Sequence, residues 1–209
     1  MAAFDFKKVF KELYLPGTTP SIIDVPEIPF LLVSGTGDPN TPDGSYKHAV
    51  GLLYGLAYTL KMSHLTGYAI PGYFPYTVPP LEGFWWQDGC TDLDLTRKDT
   101  MNWRSVIRLP DFVTPDIFDW AVKEATFKKK MDFSCVEYVR ICEGLTVQCM
   151  HIGPFDTEQE TIAKLHACAS EKGYHPDFTS QRLHHEIYLS DPRRCDPSKL
   201  KTVIRLPIA

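Results

Sequence analysis

A glutamate flanked by two side chains that can exchange protons lies in the segment 183–190, whose sequence is LHHEIYLS. The segment predicts a β-strand, and alternate residues of a strand point to the same face. His184, Glu186 and Tyr188 therefore share one face, whereas the opposite face is mostly apolar and is expected to face the core. An acid between an imidazole and a phenol is a set of groups that can hold and transfer protons.

A second glutamate is flanked by aromatic residues in the segment 82–87, EGFWWQ, which also predicts a strand. Glu82, Phe84 and Trp86 share one face of this strand, and Trp85 points to the other. If the two strands meet, we expect both glutamates in one cleft with aromatic walls. The alternative is that Glu82 and Glu186 lie on a solvated strand face, which is common in antiparallel sheets.

Such a cleft has two chemical uses. A carboxylate among aromatic rings loses hydration, so its pKa rises and it can act as a general acid or base near neutral pH. The same arrangement attracts flat organic cations, because each ring face contributes about 0.5–2 kcal/mol through a cation–π contact. The residues alone do not choose between catalysis and binding.

Hydrophobic spacing predicts the elements that must position these residues. We expect a helix over 45–62 with Asp43 as its N-cap. A second helix is expected over 115–130, and a third begins at a capping box, Thr157 to Glu160, and ends at Gly173. The predicted strands are 30–35, 82–87, 101–109, 136–142, 145–152, 183–190 and 202–207.

The tetrapeptide IRLP occurs twice, at 107–110 and 204–207. Each copy ends a strand–helix–strand–strand order, which favours an internal duplication. We therefore expect an α+β fold of two tandem βαββ repeats, 27–110 and 144–209, joined by a linking helix and strand over 111–143, all within a single domain over 1–209. The ligand cleft is expected at the pseudo-two-fold seam between the repeats.

Composition excludes several classes of protein. The 209 residues are 44% hydrophobic and 23% charged, which argues against disorder, and the net charge of −4 argues against nucleic acid as a partner. No secretory signal or long apolar segment is apparent, so we expect a cytoplasmic protein that does not associate with membranes. The six cysteines form no CxxC pair and HHE is not a metal motif, so no metal and no cofactor are predicted.

Five stretches of the chain together form a recognisable pattern. They are KELYLP at 11–16, IIDVP at 22–26, GTGDPN at 35–40, PLEGFWW at 80–86 and HHEIYLSDPRR at 184–194. These stretches resemble the stand-alone GyrI-like (gyrase-inhibitor-like) small-molecule-binding proteins. The resemblance extends over about residues 4–207, and its two most specific stretches are PLEGFWW and HHEIYLSDPRR.

The resemblance implies a fold of two SHS2 modules, which form a concave, largely antiparallel sheet with helices on one side. It implies that Glu186 is the key acid and that Tyr188 or a loop tyrosine donates a proton. It also implies a set of residues around the ligand. These ligand-binding residues are Glu82, Trp85, Trp86, Trp103, Tyr138, His184, Glu186 and Tyr188, with Tyr68 and Tyr73 from the loop.

Three functions are compatible with this resemblance. The first is binding of bulky, flat, often cationic aromatic compounds, with hydrolysis of some of them. The second is a dedicated hydrolase that opens the cyclopropane ring of DNA-alkylating toxins, with Glu186 as general base and Tyr188 as a second catalytic residue. The third, which we rank lowest, is a gyrase-inhibitory protein-interaction module. Either a monomer or a homodimer fits the sequence, and strand parity leaves open which of Trp85 and Trp86 faces the cleft.

Overall fold

Six antiparallel strands form the framework of the protein in a computed structural model that describes residues 3–90 and 93–209. They are β1 Ser21–Thr36, β2 Leu81–Trp86, β3 Asn102–Arg108, β4 Glu137–Ile152, β5 His184–Tyr188 and β6 Lys201–Pro207. The helices are α1 Phe6–Val9, α2 Lys11–Tyr14, α3 Ser45–Lys61, α4 Pro115–Lys129 and α5 Glu158–Glu171. The α+β class is therefore confirmed.

The strands close into a barrel in the order β1–β3–β2–β5–β6–β4. An open concave sheet is therefore the wrong description. Closure follows from the two 16-residue strands, because β1 pairs with β3 through 30–36 and with β4 through 21–32. Strand β1 is therefore paired with β4 along its first part and with β3 along its last part, which joins the two ends of the sheet and leaves fewer exposed edges.

Two strand predictions differ from the structure in the same region. The expected strands 136–142 and 145–152 are one continuous strand, and the proline-rich lead-in before residue 30 belongs to β1. Pro26 falls between the pairs Val25↔Gly144 and Glu27↔Cys142, so its missing N–H interrupts no pairing in this register. Gly144 adopts a positive φ of 64°, which lets β4 bend without ending.

The helix bodies agree with the sequence, but two caps do not. Gly44, not Asp43, is the N-cap residue of α3, and Asp43 pairs instead with Lys47 at 2.7 Å. Thr157 makes no side-chain cap to α5, because its hydroxyl donates to the carbonyl of Pro154 at 2.7 Å. The predicted capping box is therefore wrong, although α5 begins where it was expected.

The barrel has an apolar interior to which all six strands contribute. The interior cluster includes Phe30, Val106, Phe84, Met150, Ile187 and Val203. The outer surface is covered in two places, by α3 and α4 over strands β1, β2 and β3, and by α5 over β4 and β6. Both faces of the sheet are thus largely buried, so a polar residue on either face needs a partner.

Helices α1 and α2 close one end of the barrel. Leu13 and Tyr14 are buried in the interior cluster, and the Leu13 carbonyl accepts a hydrogen bond from Arg205 Nη2 at 2.9 Å. The guanidinium of Arg108 packs against the rings of Phe6 and Phe10, 4.9 and 4.2 Å from their centroids. We call residues 6–14 the plug.

The order strand–helix–strand–strand occurs twice, as β1–α3–β2–β3 and as β4–α5–β5–β6, with α4 between them. Strand β4 runs across residue 144, where the sequence placed the start of the second repeat. None of the helices in the described part of the chain is long and apolar enough to cross a membrane.

Candidate functional site

Glu186 lies on the outer face of the barrel, in the gap between the helices that cover it. Strand register places Glu186 beside Gly83 of β2 on one side and Ile204 of β6 on the other. Gly83 in turn pairs with Ser105 of β3, whose row packs under α3. Glu186 is only 7% exposed, so its carboxyl lies where donors must come from the protein or from a ligand.

The neighbours of Glu186 on β5 hold both of its oxygens. His184 Nε2 lies 3.1 Å from Oε1, and the Tyr188 hydroxyl donates to Oε2 at 2.8 Å. Trp85 Nε1 donates to the Tyr188 oxygen at 2.8 Å. The indole, the phenol and the carboxylate therefore form a chain of hydrogen bonds directed at Glu186, and the His184–Glu186–Tyr188 set predicted from strand parity is present.

A second carboxyl group meets Glu186 from helix α5. Glu158, in the first turn of α5, is 3% exposed, and its carboxyl is within hydrogen-bonding reach of Glu186. Burial, and then the charge of Glu186 and the hydrogen bond to it, raise the pKa of Glu158 well above its usual value. The raised pKa favours the protonated form of Glu158 beside Glu186.

The Thr202 hydroxyl lies close to this pair and lowers the pKa of Glu158, although burial outweighs it. Within residues 3–90 and 93–209, Glu158 Oε1 and the Thr202 hydroxyl are both buried without a hydrogen bond of normal geometry. A buried oxygen in this state costs about 1–3 kcal/mol. A ligand that donates a hydrogen bond or carries positive charge at this point would recover that cost.

Aromatic rings surround the carboxyl pair. Tyr46, in the first turn of α3, packs its ring 5.5 Å from Trp85 and 5.2 Å from Trp103. The Phe155 ring meets Tyr188 edge-on at 5.8 Å from the α5 side. Burial raises the pKa of Tyr46 to about 12, and burial with the charge of Glu186 raises that of Tyr188 well above its usual value, so both phenols stay protonated donors.

Two glycines make room for this arrangement. A Cβ atom on Gly83 would lie 2.6 Å from Trp85 Nε1 and 2.9 Å from the Tyr188 oxygen. A Cβ atom on Gly35 would lie 2.2 Å from the Trp103 ring. Side chains at these positions are excluded by contact, so the small residues in β1 and β2 belong to the construction of the site.

Trp85 and His184 also line an open cavity of about 350 Å³ beside the carboxyl pair. Its far wall is formed by the loop before β5, including Phe178, and by the loop after β2. Trp86 lines it as well, and its indole is covered by the Arg104 guanidinium at 5.2 Å. We call Glu158, Glu186 and the rings over them, Tyr46, Trp85, Trp103 and Tyr188, the carboxyl-pair site.

Glu82 does not join this site. It points into the barrel, where its Oε2 lies 3.0 Å from His185 Nε2 and its Oε1 accepts a hydrogen bond from Tyr14 at 3.2 Å. The expectation that Glu82 and Glu186 share one cleft is therefore wrong. Register is the physical reason, since Gly83 pairs with Glu186 and its neighbour Glu82 must face the other side.

Glu82 belongs instead to a network of charges inside the barrel. His185 Nδ1 lies 3.0 Å from Glu143 Oε2, and Arg205 Nη1 lies 2.6 Å from Glu143 Oε1. Burial favours neutral forms, but Arg205 and His185 outweigh it and lower the pKa of Glu143 to about 2. Burial is likewise outweighed at His185, where Glu143 and then Glu82 raise the imidazole pKa. We call Glu82, His185, Glu143 and Arg205 the interior network.

Of the remaining predicted residues, Trp103 belongs to the carboxyl-pair site and the tyrosines do not. Trp103 packs against Tyr46 there, whereas Tyr138 packs against Phe118 at 6.1 Å. Tyr68 stacks on Trp120 at 4.0 Å, and the Tyr73 hydroxyl donates to the Lys61 carbonyl at 2.6 Å. The loop tyrosines are therefore engaged in packing, and the structure does not bring them to Glu186.

Sequence reasoning missed Glu158 and Tyr46. Both lie in the first turn of a helix that follows a strand in the repeated element order, and that shared position is the signal that would have found them. Within the described residues, no group of three or more His, Cys, Asp and Glu side chains is arranged to hold a metal ion.

The model of the GyrI-like small molecule binding domain matches residues 18–209. The chain belongs to this family. The match includes all six strands and both of the helix first turns that contribute residues to the carboxyl-pair site. Comparison with curated protein sequences gave no match.

Several solved structures resemble this chain along most or all of its length. A hydrolase from Listeria innocua is 45% identical with a TM-score of 0.89, covering 99% of this chain and 100% of its own. An uncharacterized conserved protein from Listeria innocua is 46% identical with a TM-score of 0.92 and the same coverage. The EcmrR C-terminal domain, 16% identical with a TM-score of 0.54 over 91% of this chain and 97% of its own, shares the fold alone.

Proposed function

We propose that this GyrI-like protein binds flat aromatic cations at the carboxyl-pair site. The observation that carries the proposal is the pair Glu158 and Glu186, which places two acids and one buried oxygen without a hydrogen bond beside aromatic rings. A cation of this kind gains from the charge and from the ring faces of Trp85 and Tyr46. A neutral ligand gains only from the rings.

We further propose where the site lies in the fold and where the protein lies in the cell. We place the site at the seam of two SHS2-like repeats, because Tyr46 and Glu158 occupy matching first turns of α3 and α5 and approach Glu186 from opposite sides. In this proposal the repeats span 27–110 and 144–209. The protein is cytoplasmic, is a monomer or homodimer, and has no nucleic-acid partner.

Charge selectivity tests the binding proposal. Rhodamine 6G and an uncharged rhodamine of similar size are titrated against wild type, Glu186→Gln and Glu160→Gln. We expect Glu186→Gln to weaken binding of the cationic dye about tenfold, which is about 1.4 kcal/mol, and to leave the neutral dye unchanged. Glu160 is exposed on the same helix as Glu158, so its variant controls for net charge. Equal effects on both dyes would refute a cation site.

Hydrolysis is the second function that specific observations favour. The 45% identical Listeria innocua protein is a hydrolase, and the carboxyl-pair site holds a carboxylate, a protonated acid and a phenol within hydrogen-bonding reach of one another. A general base and a general acid with separated pKa values are the minimum for adding water to a strained ring.

In this alternative the substrate is a cyclopropane conjugated to a carbonyl group. Glu186 accepts a proton from water as the water oxygen bonds to the ring methylene carbon. The ring C–C bond breaks, and its electron pair moves through the conjugated system to the carbonyl oxygen. That oxygen takes a proton either from Glu158 or from the Tyr188 hydroxyl. The proton on Glu186 then returns to the donor, so both residues end as they began.

One comparison separates binding from hydrolysis. A cyclopropane-containing alkylator is incubated with wild type and with Glu186→Gln, and product and bound compound are measured together. Turnover by wild type that is lost in Glu186→Gln, with affinity for the uncharged compound kept, supports the hydrolase. Binding without turnover in both supports the binding protein alone.

A further inference from the structure

We propose that the open end of the barrel is a second ligand site, which binds small apolar carboxylates with Arg104 holding the carboxylate. The plug closes the end of the barrel where Arg108 and Glu82 lie. The opposite end contains a cavity of about 520 Å³. Barrel mouths of this size commonly hold one small ligand.

Apolar side chains form one part of the cavity wall, and polar side chains, including Ser34 and Gln181, form the rest. Leu32 and Phe84 are buried in the interior cluster, and Leu183, Val139 and Ile141 pack around the same opening. Phe84 stacks on His185 with ring centroids 4.0 Å apart. An apolar chain entering the mouth would contact these apolar side chains on one part of the wall, and its polar head group would contact the polar part.

The charges beneath the cavity do not oppose an anion. The interior network contains two glutamates, one histidine with a raised pKa, and one arginine, which neutralise one another. At the rim, Arg140 is paired with Glu27. The remaining charged residues that line the cavity are Arg104 and Glu137, on β3 and β4 respectively.

Arg104 is the residue that favours a carboxylate. Its Nη1 donates to the Ser180 carbonyl at 3.2 Å, and its guanidinium rests on the Trp86 ring. Within the described residues it has no carboxylate partner. A guanidinium fixed by stacking keeps further N–H donors in a planar fork, which is the geometry that binds a carboxylate with two hydrogen bonds.

This site differs from the carboxyl-pair site in charge, and it shares Arg104 and Leu183 with the 350 Å³ cavity beside that site. Strand alternation places Phe84 and Arg104 on the inner face and Trp85 and Glu186 on the outer face. The outer site selects positive charge, whereas the mouth contains a cation without an acidic partner. One chain would therefore bind ligands of opposite charge on the two sides of the same strands.

Three eight-carbon ligands that differ only in the head group test the proposal. Octanoate, octylammonium and octanol are titrated calorimetrically against the full chain. We expect octanoate to bind at least tenfold more tightly than the other two. Arg104→Gln should remove that preference and leave octanol unchanged, Arg104→Lys should keep part of it, and Glu137→Gln should strengthen octanoate binding about threefold.

Controls separate this site from the carboxyl-pair site and from loss of folding. Arg193→Gln removes the same charge from an exposed arginine paired with Asp191, and it should leave octanoate binding unchanged. Glu186→Gln should also leave it unchanged, and the rhodamine titration reports the outer site independently. Similar affinity for all three ligands, no octanoate binding by wild type, or full preference in a folded Arg104→Gln would each overturn the proposal.

Discussion

His185 and Glu186 are adjacent in the chain but belong to two different regions of the molecule. His185 faces into the barrel and is held between Glu82 and Glu143, with contacts of 3.0 Å to each. Glu186 faces outward, where it meets the His184 imidazole at 3.1 Å and a second acid, Glu158. Both regions are buried and rich in ionisable groups, but in the carboxyl-pair site two acids share one imidazole.

The difference between the two regions concerns what a ligand could gain. In the interior network every acid has a basic partner, and the plug is tied to it through Tyr14 and the Leu13 carbonyl. In the carboxyl-pair site two acids meet, and one buried oxygen has no partner among the described residues. Removing one partner from the interior network leaves an uncompensated buried charge, whereas at the carboxyl-pair site an incoming group can supply a partner that the buried oxygen lacks.

The largest effect is expected from breaking the interior network at Glu143. Glu143→Gln leaves Arg205 and His185 with one buried negative partner fewer, and removal of one member of a buried pair costs about 3–5 kcal/mol of unfolding free energy. Urea unfolding measures it. Glu27→Gln is the matched control, because its exposed pair with Arg140 is worth about 0–1 kcal/mol. Equal losses would contradict the contrast between the two pairs.

A smaller loss of stability is expected from Gly83→Ala. The new methyl group collides with Trp85 Nε1 and the Tyr188 hydroxyl, so their hydrogen bond breaks at a cost of about 1–3 kcal/mol, and the affinity for rhodamine 6G falls about tenfold. Dye titration and thermal unfolding measure both. Gly51→Ala is the control, since open space surrounds that helical position and alanine should stabilise it by about 0.5–1 kcal/mol.

The next largest effect is expected in the pH dependence of the unfolding free energy, to which the interior network contributes. His185 has a raised pKa in the folded protein, so its stabilising effect is complete below the unfolded value of about 6.5 and is lost as pH rises through the folded value. Glu143 behaves oppositely, and its contribution is present above the unfolded value of about 4.5 and lost as pH falls towards 2. Stability from this network is therefore greatest between these limits.

Glu82→Gln checks that assignment. The destabilisation caused by this variant should shrink as pH rises above 6.5, because a neutral His185 no longer attracts the Glu82 carboxylate. The change should be about 1.4 kcal/mol for each unit by which Glu82 raises the His185 pKa. Unfolding free energies of wild type and variant from pH 5 to about 9 measure it. If the difference in unfolding free energy between wild type and Glu82→Gln does not change with pH, the titrating proton is not on His185.

The smallest effect is expected from Glu158→Gln at the carboxyl-pair site. Raising the pH above 4.5 towards the raised pKa of Glu158 adds a second negative charge, so rhodamine 6G should bind a few-fold more tightly to wild type at high pH. The variant should lose that increase. His184, Tyr46, Tyr188 and Asp156 also face this region and remain in both proteins, so dye titrations of the pair across pH isolate Glu158.

Local patterns in the sequence predict much of the fold. The helices α3, α4 and α5 follow from apolar spacing, and the alternation along β5 correctly assigns His184, Glu186 and Tyr188 to one face. These features depend on residues within a few positions of one another. The same reasoning divides β2 correctly into two faces, but it gives no information about which of them meets Glu186.

What the tertiary structure alone decided is how distant residues meet. The pairing of Gly83 with Glu186 directs Glu82 into the barrel and brings Trp85 to the acid. Glu158 and Tyr46 reach the site from two different helices, although the two residues are more than a hundred positions apart in the chain. The sequence by itself determined that this protein has an acid among aromatic residues on a strand. Barrel closure and register decided which acid it meets, because contacts across strands depend on chain packing rather than on local residue order.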